Sequence, residues 1–323
     1  MPRVETADSP LPARAGHPAL AGMTVLERGW LSSNNVLIHA ATREAGAVLV
    51  DSGHVNHAAQ TVALVRHALQ GAPLSRIVNT HLHSDHCGGN AALQRAFGVP
   101  VFIPPGSADA VRGWDESKLT YEASGQRCER FTVAGTLAPG DGFTAGGRHW
   151  QVLAAPGHDP DSVVLFDEVN GVLISADALW ERGFGVVFPE IADEPGFDDV
   201  GATLDLIERL PVRVVIPGHG APFTDVTAAL AIARSRLAGF QADPARHARH
   251  AAKVLIKYHL MEERQQPLDA LRAWAAATPM LAQLWDRHGR RNSASTAAWA
   301  ERFVRELAAA GVLILDEDVV RDR

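Results

Sequence analysis

His81-Leu82-His83-Ser84-Asp85-His86 is the stretch on which the reading of this chain turns. Pro156-Gly157-His158, Ala176-Asp177 and Pro217-Gly218-His219 follow it at long intervals. Five histidines and two aspartates able to bind metal therefore stand at the ends of segments that otherwise read as buried strands. A two-metal hydrolytic site needs that combination: neutral imidazoles, hard carboxylates and one group able to bridge. Positions 81, 83 and 85 alternate, so an extended segment projects them to one side. A turn into a following helix, eased by Gly88-Gly89, then brings His86 beside Asp85. His158 follows an expected strand at 150–154, Asp177 one at 172–175 and His219 one at 212–216. Ligands at strand ends are held by a rigid scaffold, as an open metal centre requires.

Outward from the ligands, compact apolar runs predict further strands at 24–26, 35–39, 47–50, 76–79, 99–103 and 163–166. Helical spacing marks 57–70, 91–97 (with Asn90 as its N-cap), 198–210 and 228–237. The segment 106–134 lacks clean periodicity and reads as a short helix and a loop lying over the site. Strands in two batches with helices interspersed predict sheets inside and helices outside. From about Asp243 helical patterns dominate (251–263, 268–276, 297–310), and the chain closes with apolar 312–315 and 319–320 around Asp316-Glu317-Asp318. Three helices and a terminal hairpin make a winged-helix arrangement. The expected organisation is a flexible leader at 1–22, a catalytic domain at 23–242 and a winged-helix-like domain at 243–323.

Size and composition fit this division. With 323 residues, 46% hydrophobic and 21% charged, the chain can bury one large core and an appendage. No apolar run approaches the ~20 residues of a membrane span, so no membrane partner is expected. Two cysteines make no disulfide framework and suit a reducing cytoplasm. Cys87 adjoins the ligands but reads as a small buried thiol. A formal charge of −7 speaks against a nucleic-acid polyanion as the main ligand.

The seven ligand positions and their order resemble the metallo-β-lactamase superfamily, whose signature is a His-x-His-x-Asp-His loop followed by His, Asp and His. The resemblance covers roughly residues 24 to 240 and implies an αββα sandwich with the metals at one edge of the sheets. It implies that His81, His83 and His158 hold one metal, that Asp85, His86 and His219 hold the other, and that Asp177 bridges them. Asp51 matches the family's buried acidic residue, which orders the ligand loop from behind. The ten other histidines, including His39, His54, His57 and His149, are read as structural or surface residues. Two divalent cations are implied, zinc first, with iron and manganese compatible with mixed His/Asp ligation. Such metals lower the pKa of bound water toward ~7 and supply a shared hydroxide that attacks an electrophilic carbonyl or phosphorus. Asp85, with a free carboxylate oxygen, is the candidate catalytic proton shuttle.

True metallo-β-lactamases generally lack the bridging aspartate, so Asp177 points away from antibiotic hydrolysis. The ligand set is similar to that of hydroxyacylglutathione hydrolases (glyoxalase II), acyl-homoserine lactonases and the RNase Z group. The C-terminal module resembles the winged-helix extension of the lactamase-beta-2-like branch. The lysine and arginine pattern that binds glutathione in glyoxalase II is not evident after His158. Trp180, Phe184 and Phe188 follow Asp177 closely and are candidate pocket residues for an acyl or other hydrophobic substituent. Tyr121 is a candidate oxyanion donor. The expected function is hydrolysis of a small acyl substrate, a thioester, ester or lactone. The alternative is a phosphodiesterase or endoribonuclease that uses the winged helix and the basic cluster Arg287, Arg290 and Arg291. An acidic wing tip at 316–318 opposes that alternative. The apolar C-terminal helices offer a surface for a homodimer.

Overall fold

Alternation along the strands sets the layers. The computed structural model describes residues 17–42 and 44–323. Strands β1 (Met23–Leu26), β2 (Asn35–Ile38), β3 (Ala47–Val50), β4 (Leu74–Val78), β5 (Val101–Ile103) and β6 (Gly135–Thr136) form one sheet in that order. β7 (Gly142–Ala145), β8 (Arg148–Ala154), β9 (Val163–Asp167), β10 (Val172–Ala176) and β11 (Val214–Pro217) form a second sheet, ordered β11-β10-β9-β8-β7. Val36, Ile38, Val48 and Val50 of the first sheet share a buried cluster with Trp150, Val152, Leu165, Ile174 and Ile216 of the second. Their neighbours Leu37, Leu49 and Ile77 point the other way, into a cluster beneath helices α1 (Ala58–Leu69), α2 (Ser84–Cys87), α3 (Asn90–Phe97), α4 (Ala108–Gly113) and α5 (Tyr121–Ser124). Val164, Phe166, Leu173 and Val215 likewise leave the inter-sheet layer; after the short α6 (Phe188–Ile191), their cover is α7 (Phe197–Arg209) and α8 (Val226–Ala242). Each central strand is thus buried on both faces, which is why it reads as an unbroken apolar run. The result is the expected αββα sandwich.

Beyond it come α9 (Pro244–Glu263), β12 (Gln265–Pro267), α10 (Leu268–Ala277), α11 (Pro279–Leu284), α12 (Thr296–Ala309) and the hairpin β13 (Leu313–Asp316) and β14 (Val319–Asp322). β14 lies between β12 and β13. β12 has no apolar signature, and the sequence carries no sign of it. The core of this C-terminal region is not its own alone: Val186 and Ile191, from the segment after Asp177, are buried in the same cluster as Leu255, Leu281, Trp299 and Phe303.

Four expectations change. Residues 1–16 of the expected leader lie outside the described residues, and 17–22 hold a 3-10 turn, Pro18–Leu20, whose neighbouring carbonyls at Ala19 and Ala21 accept from the Arg148 guanidinium. Helix α2 begins at Ser84, so Asp85 reaches the site from a helical turn and not by strand alternation after His83. Asn90 is no cap: its side chain is buried and donates to Asn79 Oδ1, while Gly89 precedes the helix. The 106–134 segment holds two short helices, α4 and α5, where one and a loop were expected. Tyr121 is 1% exposed, and its hydroxyl donates to the Leu82 carbonyl beside the Cys87 thiol.

Candidate metal centre

All seven candidate ligands are buried and converge where the strand ends of the two sheets meet. Two groups of donor atoms result: His81, His83 and His158 in one, and Asp85, His86, Asp177 and His219 in the other. In the first, His83 Nδ1 lies 3.1 Å from His81 Nε2 and 2.8 Å from His158 Nε2. In the second, Asp85 Oδ2 lies 3.0 Å from His219 Nε2, and Asp177 Oδ1 lies 3.5 Å from His86 Nε2 and 3.8 Å from His219 Nε2. The other Asp177 oxygen faces the first group, 3.4 Å from His158 Nε2. One carboxylate therefore presents an oxygen to each cluster.

Hydrogen bonds behind the rings decide which nitrogen faces the site. A backbone carbonyl only accepts, so His158 Nδ1 carries the proton it donates to Val186 O, and Nε2 keeps its lone pair. His86 Nδ1 donates to Asp51 Oδ2 at 2.8 Å, and His81 Nδ1 is 3.1 Å from Thr80 Oγ1. Asp51 also accepts from the Thr80 amide at 2.9 Å and the Thr80 hydroxyl at 2.8 Å. It is thus the hub that fixes the His86 ring and the strand-to-helix turn. Asp51 (φ 56°) and Ala176 (φ 46°) both sit in the left-handed region at strand ends, Ala176 immediately before Asp177. Sparsely populated backbone at such positions stores of order 1 kcal/mol and persists where the surroundings dictate it. Glycine is required on both sides of the ligands. A Cβ on Gly218 would lie 2.1 Å from Asp177 Oδ1, and one on Gly185 would lie 2.3 Å from His158 Nδ1. At Gly88 and Gly89 the close approach is instead to backbone atoms of residues 52–55 and 84, not to the ligands.

The donor set fits divalent cations. Burial and neighbouring histidines hold His81 well below the usual imidazole range and His83 at about 3, and burial lowers His158, so these rings are neutral. Burial would raise Asp85, but His86 and His219 hold it at about 2. The same two histidines outweigh burial at Asp177 and keep it ionised. His86 Nε2, which faces Asp177, is buried without a hydrogen-bond partner. In the first group three neutral rings crowd their lone pairs together; in the second, against burial, Asp177, Asp51 and Asp85 raise His86 well above the usual imidazole range, so a proton there balances the charge that a cation would otherwise neutralise.

The candidate pocket residues divide. Phe188 is half-buried, with its ring 4.3 Å from His83 and 5.5 Å from His158. Trp180 donates from Nε1 to Asp177 Oδ1 at 3.1 Å and stands edge-on to His219 at 5.5 Å. Phe184 is a correction: at 1% exposure it points into the α7–α8 core against Phe240. Tyr121 is another, because its hydroxyl is engaged at Leu82 and Cys87, away from any oxyanion. Sequence reasoning missed Trp30, stacked on His219 at 5.3 Å. It also missed Tyr258 and Glu262 of α9. Tyr258 Oη is 2.8 Å from Ser84 Oγ, and Glu262 pairs with buried His54 at 2.8 Å. Of the basic cluster, Arg287 is engaged by Asp193 and the Glu190 carbonyl, and Arg290 by Asp286.

A family model described as the metallo-beta-lactamase superfamily matches residues 28–219. Among curated proteins, the hydroxyacylglutathione hydrolase of Rhizobium meliloti (strain 1021) is 29% identical over 124 residues, 38% of this chain and 41% of that protein. That of Rhizobium etli is 26% identical over 164 residues, 50% and 55% of the two chains. The chain spans about half the length of the curated relatives it matches. Two solved structures extend the likeness of fold through the C-terminal region. A metallo-beta-lactamase family protein from Thermus thermophilus matches with TM-score 0.51 and 21% identity over 98% of both chains. A beta-lactamase domain protein from Burkholderia ambifaria matches with TM-score 0.53 and 23% identity over 93% of this chain and 91% of that one.

Proposed function

Because the chain belongs to the metallo-beta-lactamase superfamily, we propose that it is a hydrolase of small acyl substrates (thioesters, esters or lactones) working at two divalent cations, zinc first. The observation that carries this reading is Asp177, whose two oxygens face the two ligand clusters separately. When bound, such cations supply an ionised water near neutral pH and polarise a carbonyl oxygen. The chain's own residues do the rest. Val186 O and Asp51 hold the His158 and His86 rings in the tautomer with Nε2 inward. The Trp180 indole steadies Asp177. Asp85, ionised and bonded to His219 through one oxygen, moves a proton between the nucleophile and the leaving group.

The curated relatives, named hydroxyacylglutathione hydrolases, support an acyl substrate, while the absence of the glutathione-binding basic pattern leaves the thiol carrier open. We read residues 243–323 as a winged helix, from the strand order β12-β14-β13 and the helices between. Arg287 and Arg290 are paired with Asp193 and Asp286, which weighs against the phosphodiester alternative. The test is a panel of acyl thioesters and lactones beside a phosphodiester and a structured RNA, with Asp177→Asn in parallel. Turnover of acyl compounds alone, lost in the variant, is expected. Cleavage of the phosphodiester or RNA instead would overturn the reading.

A further inference from the structure

The loop joining β1 to β2 is bonded to two of the ligand-bearing turns, those of Asp85 and His219. Asn34 donates from its amide to Gly218 O at 2.6 Å and from Nδ2 to Pro217 O at 2.9 Å and Gly220 O at 2.7 Å. The Ser33 amide donates to Asp85 O at 3.0 Å. The Arg28 guanidinium closes the other side of the loop on Asn35, Thr61 and Gln60, and the Arg28 amide donates to Asn34 Oδ1. The loop is therefore fixed relative to Asp85 and His219, and it carries Trp30.

Trp30 is 59% exposed, the only tryptophan among the large exposed apolar side chains of the described residues. Its ring lies almost parallel to His219 (12°), 5.3 Å away, and 5.4 Å from Trp180 at 69°. With Trp180 also 5.5 Å from His219, the three rings pack on one another: His219 fills the angle between the indoles, and the other face of Trp30 is left exposed. Surface tryptophans scattered singly need no explanation, but this one stands on a loop tied to the site and beside a second indole that donates to Asp177. An exposed indole surface held in this place sheds water from an alkyl chain or ring laid against it.

We propose that Trp30 and Trp180 form an apolar subsite that receives the hydrocarbon chain of the acyl group, on the His219 side of the scissile carbonyl. The inference rests on the acyl-hydrolase reading and says which acyl groups that site selects: those with several methylenes or an aryl ring over acetyl. Each methylene brought against the indoles leaves water, and affinity rises with chain length until the exposed indole surface is covered.

The test is equilibrium binding of acetate and octanoate, as carboxylate products, to the metal-loaded full-length protein by calorimetry, with Trp30→Ala, Trp30→Phe and Trp180→Phe. Octanoate is expected to bind at least about tenfold more tightly than acetate to the unaltered protein. Trp30→Ala is expected to bring that ratio to within about threefold, and Trp30→Phe to retain most of it. A ratio near one in the unaltered protein, or an unchanged ratio in Trp30→Ala, overturns the subsite. Hydrolysis of octanoyl and acetyl thioesters, run alongside, separates the two claims. Chain-length-dependent binding without turnover would overturn the acyl-hydrolase reading and leave the subsite standing.

Discussion

Asp177 and Asp51 act on His86 from opposite sides, and their replacement separates bridging from orientation. Asp177→Asn removes the charge that faces both clusters, and turnover is expected to fall by about a hundredfold or more, measured against the acyl substrate that responds. Asp51→Asn keeps a residue that tolerates the left-handed backbone at φ 56° but weakens the hold on His86 Nδ1. Its expected effect is a loss of metal affinity of roughly 10- to 100-fold by competition with a chelator, with the fold intact. That these seven side chains converge was legible because His and Asp at strand ends have few other reasons to recur in that order. The pocket was legible only in part. Phe184 and Phe188 are both close to Asp177 in sequence, yet one enters the α7–α8 core and the other faces His83. Which side of an irregular loop a ring takes is set by tertiary packing. Trp30 lies far before the ligand loop in an aperiodic stretch, so nothing local linked it to His219.

Among the elements, the four-residue helix α2 matters most, because it carries Asp85 and His86 and is too short to be stable alone. Its support comes from outside: the Ser52 amide donates to His86 O, and Ser84 Oγ meets both Gln126 Oε1 and Tyr258 Oη. Tyr258→Phe is expected to loosen metal binding several-fold with little change in melting temperature, whereas a purely structural role for the hydroxyl would show only in stability. One turn further along α9, Glu262→Ala leaves His54 buried without its partner and is expected to lower stability by about 2 kcal/mol in denaturant unfolding. The long two-face-buried strands were readable from composition. β6 and β12, two and three residues long, exist only because a neighbouring strand offers an edge, and sequence carries no sign of that.

Over the whole molecule, the shared cluster of Val186 and Ile191 with α9, α11 and α12 makes the C-terminal region part of the site wall and not an independent appendage. A single cooperative unfolding transition is expected by calorimetry; two separated transitions would show that the regions fold apart. His247 stands at this junction, accepting from the Val187 amide at 3.3 Å against Phe197 and Phe240. Burial first, then His250 and His288, push its pKa down to about 4. The unfolded chain, near 6.5, therefore takes up a proton that the folded one refuses. The contribution is present above pH 6.5 and lost as pH falls toward 4, by at most about 3 kcal/mol. His247→Gln is expected to flatten that part of the stability–pH curve relative to the unaltered protein.

The most direct measurement is a titration of metal-free protein with zinc, following bound metal and acyl-ester turnover in the same samples. Two equivalents per chain, with turnover appearing as the second binds, and a lost second equivalent in Asp177→Asn, are the expected result. Full turnover at one equivalent, or turnover that ignores added metal, would contradict a centre built from two clusters joined by Asp177.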